Sequence, residues 1–356
     1  MSNLLVTGGA GFIGANFVHY WLGKYPADKV VVLDALTYAG NEESLQPVVG
    51  NDNYVFVEGD IGDQALVESL LVEYKLDTIV NFAAESHVDR SISGPDVFIE
   101  TNIVGTHNLL KAARQVWMVN PETANPNHRF HHVSTDEVYG TLGDNDPAFT
   151  EDHAYAPNSP YSASKAASDH IVRAYHHTFG LNVTTSNCSN NYGPYQFPEK
   201  LIPLCLSNIL ANKALPIYGT GKNIRDWLYV EDHARGIDLI LKQDKLGEVY
   251  NIGGHNEWTN IDIVKLLCEI MDKKFAADST LAERYPDATP ANGKKSIDLI
   301  TYVEDRAGHD WRYAIDAEKS QKELGYKPAE TFETGIEKTI DWYLDNPEWW
   351  APLLKA

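Results

Sequence analysis

Thr135, Asp136 and Glu137 stand in direct succession, and downstream Tyr161 and Lys165 lie at i and i+4. On a helix that spacing puts Tyr161 and Lys165 on one face. An ammonium beside a phenol favours the phenolate, pulling the tyrosine below its reference pKa of about 10 and making it a usable base. Two neighbouring carboxyls suppress each other's ionisation, so Asp136 and Glu137 offer one protonated acid and one base. Oxidation of an alcohol has no need of that second pair, so the residues imply chemistry beyond hydride transfer. Each signal alone has a plainer reading: an amphipathic surface pair for Tyr161 and Lys165, a solvated strand end for Asp136 and Glu137. Their order behind Ser134 and Thr135 argues against both.

These side chains need a scaffold. Leu4 to Thr7 predicts a buried strand, Gly8-Gly9-Ala10-Gly11-Phe12-Ile13-Gly14 a tight turn, and Ala15 to Lys24 a helix with Phe17, Tyr20 and Trp21 at helical spacing. Gly9, Gly11 and Gly14 fit GxGxxG, and Gly8, Gly11 and Gly14 fit GxxGxxG; either meets the needs of a dinucleotide pyrophosphate at a helix start. Asp34 stands 20 residues past Gly14 in Leu33-Asp34-Ala35-Leu36-Thr37. A carboxylate there accepts from the ribose hydroxyls and repels a 2′-phosphate, which favours NAD over NADP.

Val30 to Leu33, Tyr54 to Val57, Ile79 to Phe82, Phe130 to Ser134 and Asn182 to Ser186 read as further strands, with helices over 64–74, 102–116 and 160–179. Such alternation implies an α/β fold, a Rossmann-type doubly wound parallel sheet covered on both faces. Beyond it, Pro194, Pro198, Pro203 and Pro216 with Gly193, Gly219 and Gly221 punctuate a stretch expected to hold fewer regular elements. We expect an NAD-binding domain over 1–187, with about 228–258 returning to it because Val249 to Ile252 reads as a late strand. The rest of 188–356 is expected to form a smaller, interleaved mixed α/β substrate-binding lobe, with helices over 260–271, 318–324 and 334–345.

Composition narrows the classes. With 356 residues and 43% hydrophobic content the chain can bury a sizeable core, and its net charge of -21 disfavours nucleic acid and anionic lipid. The longest apolar runs are far too short to span a membrane, and Asn3-Leu4-Leu5-Val6 follows no basic region, so a cytoplasmic location is expected. Cys188, Cys205 and Cys268 are too scattered for a disulfide framework, and the pairs His131-His132 and His176-His177 diverge, so no metal is expected.

The segments Thr7-Gly8-Gly9-Ala10-Gly11-Phe12-Ile13-Gly14, Asn81-Phe82-Ala83-Ala84-Glu85-Ser86 and Tyr161-x-x-x-Lys165 resemble the extended short-chain dehydrogenase/reductase superfamily. His132-Val133-Ser134-Thr135-Asp136-Glu137-Val138-Tyr139-Gly140 is similar, more narrowly, to the nucleotide-sugar 4,6-dehydratases. Ala84-Glu85-Ser86-His87-Val88-Asp89-Arg90-Ser91, Asn190-Asn191-Tyr192-Gly193-Pro194-Tyr195-Gln196 and Asp305-Arg306-x-Gly308-His309-Asp310 extend the resemblance over nearly the whole chain. Ala307 stands where that family often has proline, which leaves the chemistry undisturbed.

The resemblance implies a nucleotide-sugar substrate, a retained NAD and a homodimer formed through helices near 102–116 and 160–179, whose apolar positions could equally be buried against the sheet. It assigns Thr135, Asp136, Glu137, Tyr161 and Lys165 to catalysis. To the cofactor it assigns Gly8, Gly11, Phe12, Ile13, Gly14, Asp34, Ala35, Leu36, Thr37, Asp60, Ile61, Phe82, Ala83, Ala84, Ser86, Thr101 and Asn191, beside Tyr161 and Lys165. The sugar nucleotide falls to Ser86, Thr135, Asn190, Lys200, Leu201, Pro216, Ile217, Tyr218, Arg225, Asn260, Asp305, Arg306 and His309. Arg225 and Arg306 have the guanidinium fork that suits a diphosphate, although each stands next to an acid, Asp226 or Asp305, with which it can pair instead. Sugar epimerases of this fold usually carry small or hydroxyl residues at Asp136 and Glu137, and a redox sensor that binds NAD without turnover has no use for Thr135, Tyr161 and Lys165. Thymine and uracil nucleotides remain equally open.

Overall fold

The computed structural model describes residues 2–306 and 308–354, so Ala307 lies outside the described residues. The strands are β1 (Asn3–Thr7), β2 (Lys29–Asp34), β3 (Tyr54–Glu58), β4 (Thr78–Asn81), β5 (Arg129–Thr135), β6 (Val183–Cys188), β7 (Asn190–Tyr192), β8 (Leu215–Tyr218), β9 (Ile224–Tyr229), β10 (Val249–Ile252), β11 (Glu257–Thr259) and β12 (Ile300–Val303). Seven of them form one sheet in the order β3-β2-β1-β4-β5-β6-β10, every pair parallel. This is the doubly wound Rossmann-type fold, with the strand order reversing about β1.

Alternation along each strand feeds two apolar layers. Leu4, Val6, Val30 and Val32 pack with Phe17 and Trp21 of helix Phe12–Lys24 and with Ile237 and Ile240 of helix Val230–Lys242. Leu5, Val31, Leu33 and Ile79 turn the other way, onto Leu70, Leu109, Leu110 and Val172. Near-continuous apolar strands follow from burial on both faces.

Helix Pro160–Phe179 has the expected ends. Ser159 caps it through a reciprocal bond pair with Ser162, Pro160 occupies the first turn where its missing N–H is no loss, and Gly180 closes it at φ 75°. The expected helix over 102–116 differs: wide i→i+5 turns over Ile99–Gly105 and Gln115–Val119 flank a regular α-helix at Thr106–Arg114. Asn102 supplies a reason for the first. Its side chain exchanges hydrogen bonds with the backbone of Glu85 (2.8 and 3.0 Å) and donates to Ser164 Oγ, while its carbonyl accepts the Ser168 hydroxyl at 2.6 Å. A carbonyl drawn to a neighbouring helix opens the turn.

The second lobe is more regular than its prolines imply. It holds a three-stranded sheet β11-β9-β7, the parallel pair β12-β8, and helices Leu201–Leu210, Asn260–Ala277 and Phe332–Asp345 around a separate core. Pro203 lies in the first turn of its helix, where the N–H has no intrahelical partner, and Pro216 lies on the two-stranded pair, so neither breaks its element. Among the described residues no helix is long and apolar enough to cross a membrane.

Candidate active site

A cavity of about 320 Å³ lies at the C-terminal ends of β1 to β6. At its floor Thr7 passes into Gly8, whose φ is 67° and whose absent Cβ would stand 2.6 Å from the Ala83 nitrogen. A Cβ on Gly14 would meet the Gly8 carbonyl oxygen at 2.2 Å, so helix and turn pack as tightly as a dinucleotide site requires. Asp34 closes the rim: its carboxylate accepts Ala10 N–H and Leu36 N–H, each at 2.9 Å. Burial pushes its pKa up, opposed by these backbone donors.

Of the residues assigned to a cofactor by resemblance, all but Leu36 line this cavity. Leu36 packs instead with the Phe17 and Trp21 layer. Asn190 Oδ1 and Ser189 Oγ are buried on the lining without a hydrogen-bond partner among the described residues, as is Asp136 Oδ2. A polar ligand satisfies such atoms, and the glycine turn leaves its backbone open to a pyrophosphate, so the lining fits a dinucleotide.

The catalytic candidates converge where β5 ends. Thr135 caps the short 3-10 turn Asp136–Tyr139 by accepting Glu137 N–H at 3.3 Å, and donates to Asp136 Oδ1 at 3.4 Å. Burial, the Glu137 charge and the Asp226 charge hold the Asp136 carboxyl well above its ordinary range. Burial also raises Glu137, but the cations Arg225, Arg306 and Lys200 oppose it. Adjacent in sequence, the two carboxyls are both raised by burial; after burial, acids act most on Asp136 and cations most on Glu137.

Tyr161 and Lys165 both line the cavity, yet the expected lowering of the phenol is not what the geometry gives. Burial and the Glu137 charge push Tyr161 well above its ordinary value. Lys165 Nζ donates to the Val133 carbonyl at 2.8 Å, so the ammonium is turned to the strand, and burial lowers its own pKa.

Ser86, Thr135, Asn190 and Lys200 of the expected sugar-nucleotide set also line this cavity, and Leu201 opens the helix that follows Lys200. Pro216, Ile217 and Tyr218 lie on β8, Asn260 begins its helix, and Asp305, Arg306 and His309 follow β12. Ile217 is 2% exposed and faces the second core. Arg225 is committed differently from expectation: it donates to the carbonyls of Ile224 (2.7 Å), Asp310 (2.9 Å) and Trp311 (3.4 Å) and stacks 4.2 Å from the Tyr313 ring centre. Asp226 does not pair with it but takes the Gly254 and Asn256 N–H groups. Arg306 pairs with Asp89 at 3.4 Å rather than with the side chain of Asp305, which holds His309 Nδ1 at 2.6 Å. Arg306 Nε has no partner among the described residues, which leaves it the freer fork.

Motif reading passed over the rim. Arg90 stacks 3.7 Å from the Tyr38 ring centre and pairs with Glu199 at 3.3 Å, tying the loops after β2, β4 and β7 together across the opening. Arg90 stood in a quoted motif, but nothing in its spacing pointed to Tyr38 or Glu199.

A doubly wound sheet with a glycine turn, a Tyr-Lys helix and a split carboxyl pair defines a nucleotide-dependent enzyme class. The chain belongs to the family described as GDP-mannose 4,6 dehydratase, whose model matches residues 5–339. It is 55% identical over 349 residues to the dTDP-glucose 4,6-dehydratase of Xanthomonas campestris pv. campestris strain B100, covering 98% of this chain and 95% of that one. Among solved structures it is similar to the dTDP-glucose 4,6-dehydratase of Bacillus anthracis in complex with NAD, at 46% identity and TM-score 0.84, with 99% and 100% of the two chains covered. The enzyme of the same name from Streptomyces venezuelae, also solved with NAD bound, gives 46% identity and TM-score 0.86, covering 99% of each.

Proposed function

We propose that this chain converts dTDP-glucose to dTDP-4-keto-6-deoxyglucose and water, using NAD that stays bound. The observation that carries this reading is that Thr135, Asp136, Glu137, Tyr161 and Lys165 line one cavity with the glycine turn; there burial and the Glu137 charge raise Asp136, while Arg225, Arg306 and Lys200 oppose the rise that burial gives Glu137. The names of the relatives support dTDP-glucose as the nucleotide sugar.

Tyr161 takes the proton of the sugar 4-hydroxyl, and Thr135 hydrogen-bonds the carbonyl that forms. When bound, NAD would supply the hydride acceptor for C4 and the hydride donor for C6. The C4 ketone acidifies the neighbouring C–H, so Glu137 removes the C5 proton while Asp136 gives its own to the departing C6 hydroxyl. Glu137 then returns a proton to C5. Lys165 lines the same cavity and keeps the strand end fixed by donating to the Val133 carbonyl. The cavity residues from the glycine turn, Asp34, Ala83, Thr101 and Asn191 hold the dinucleotide; Lys200, Arg306 and the β8 loop grip the nucleotide diphosphate.

Asp34→Ala removes the ribose acceptor and leaves two backbone N–H groups without their carboxylate. It is expected to weaken NAD binding about tenfold to hundredfold and to lower stability by about 1–3 kcal/mol, checked by NAD content of the purified protein and by thermal denaturation. Arg306→Met is expected to raise KM about tenfold to hundredfold with little change in kcat, the loss of a charge-assisted bond to phosphate. Arg225→Met should instead lower kcat, because its positive charge opposes the rise of both Asp136 and Glu137. Steady-state kinetics separates the two, and a KM effect confined to Arg225 would reverse their roles.

We also place a homodimer on the helices near 102–116 and 160–179. Val104 and Phe179 are 39% and 40% exposed there, with Ile99 nearby at 43%, an apolar surface that a second copy covers.

Mass spectrometry of dTDP-glucose and UDP-glucose, each incubated with the purified protein and its bound NAD, tests the reading. Loss of one water from dTDP-glucose, with little reaction of UDP-glucose, is the expected result. Unchanged mass for both would overturn it in favour of an epimerase or a sensor.

A further inference from the structure

Beneath the catalytic residues lies a buried polar chain that the chemistry above does not use. Thr7, the last residue of β1, donates to Asn81 Oδ1 at 2.7 Å, which turns the Asn81 amide nitrogen toward His132 Nδ1 at 3.2 Å. With Nδ1 accepting, the His132 proton sits on Nε2, which faces Asp169 Oδ1 at 3.3 Å but off the hydrogen-bond line. Asp169 Oδ2 accepts the Ser134 hydroxyl at 2.8 Å and the Tyr155 hydroxyl at 3.0 Å. Asp169 is 6% exposed and stands one turn past Lys165 and two past Tyr161 on the same helix.

A buried carboxylate is costly unless paired, and in the interior a lysine tends to lose its proton. The groups facing Lys165 are Asp169 from its own helix, Cys188 from β6 and His132 from β5. Burial raises the Cys188 thiol to about 12, and burial with the Lys165 charge lowers His132, so both are neutral. Asp169, one helical turn on, is the carboxyl among them.

We propose that Asp169 is a positioning residue for this reaction: through Ser134 it fixes the end of β5 that carries Thr135 and Asp136, and as a buried anion it keeps Lys165 an ammonium. This rests on the proposed dehydratase reading for its kinetic test but not for its spectroscopic one. Asp169→Asn keeps the shape and removes the charge; Ser134→Ala cuts the tie to β5 and keeps the charge.

On the NAD-bound protein, both variants are expected to lower kcat on dTDP-glucose about tenfold to hundredfold with KM within about twofold, as misplacement of reacting groups does. In Asp169→Asn alone, the pH midpoint of Lys165 should move lower, followed by NMR of 13C-labelled lysine and assigned with Lys165→Met; Asp169→Glu should restore it in part. Wild-type kcat in either variant, or an unmoved Lys165 midpoint in Asp169→Asn, overturns the proposal. If Asp169→Asn does not fold, Ser134→Ala decides by its kcat, and if the wild type leaves dTDP-glucose unchanged, the midpoint decides alone.

Discussion

Glu137→Gln is expected to leave the fold and the bound NAD intact and to lower turnover of dTDP-glucose by at least about a thousandfold, or about 4 kcal/mol of transition-state stabilisation. The amide keeps the size of the side chain and the N–H to Thr135 contact, but it cannot take a proton from C5. Three cations, Arg225, Arg306 and Lys200, then face a neutral group. Oxidation at C4 does not need Glu137, so the variant should accumulate the absorbance of reduced nicotinamide on addition of substrate. Wild-type turnover would eliminate Glu137 as the base. Asp136 acts protonated and Glu137 ionised, and burial raises both. Wild-type turnover should therefore fall as pH drops through the Glu137 value and fall again as pH rises through the Asp136 value.

Tyr161→Phe should fail one step earlier. With no phenol to take the 4-hydroxyl proton, turnover is expected to drop about a thousandfold to ten-thousandfold, and no reduced nicotinamide should appear. Stability should change by no more than about 1 kcal/mol, because the ring remains packed edge-on against Phe98 at 6.3 Å and only a hydroxyl is lost. Single-turnover absorbance with mass spectrometry distinguishes the two variants: a signal without product in Glu137→Gln, neither in Tyr161→Phe. Reduction of the cofactor in Tyr161→Phe would show that another group serves as the first base.

What could be read from residue types alone depended on how local its cause was. The helix Pro160–Phe179 is written in Ser159, Pro160 and Gly180, and the glycine turn in the close approaches that only Gly8 and Gly14 allow. Asp136 and Glu137 were legible as a pair because a strand end places neighbours in one site. Contacts between elements were not. Helical spacing puts Lys165 beside Tyr161 but does not say that the ammonium reaches back to Val133, nor that Glu137 faces the phenol. The fork of Arg225 suits phosphate in the abstract, while three carbonyls from β9 and the Asp310–Trp311 segment claim it in the fold. Pro203 and Pro216 read as breaks because a proline count ignores position within an element. His132 belongs to the segment that runs on to Thr135 and Asp169 to no motif; neither spacing points to the other, and only the meeting of β4, β5 and the catalytic helix brings them together.

Val249–Ile252 joins β6 in the main sheet only after the chain has passed through β7, β8 and β9. A cut after residue 187 would take away that strand, leave β6 with an open row of backbone donors and acceptors, and strip helix Val230–Lys242 from Phe17 and Trp21. The two lobes are therefore not cassettes joined at a seam. A protein of this design cannot acquire a new sugar preference by fusing a foreign carboxyl-terminal half at one junction. Its specificity has to drift in the loops between shared strands, where each change is felt by the sheet that holds the cofactor.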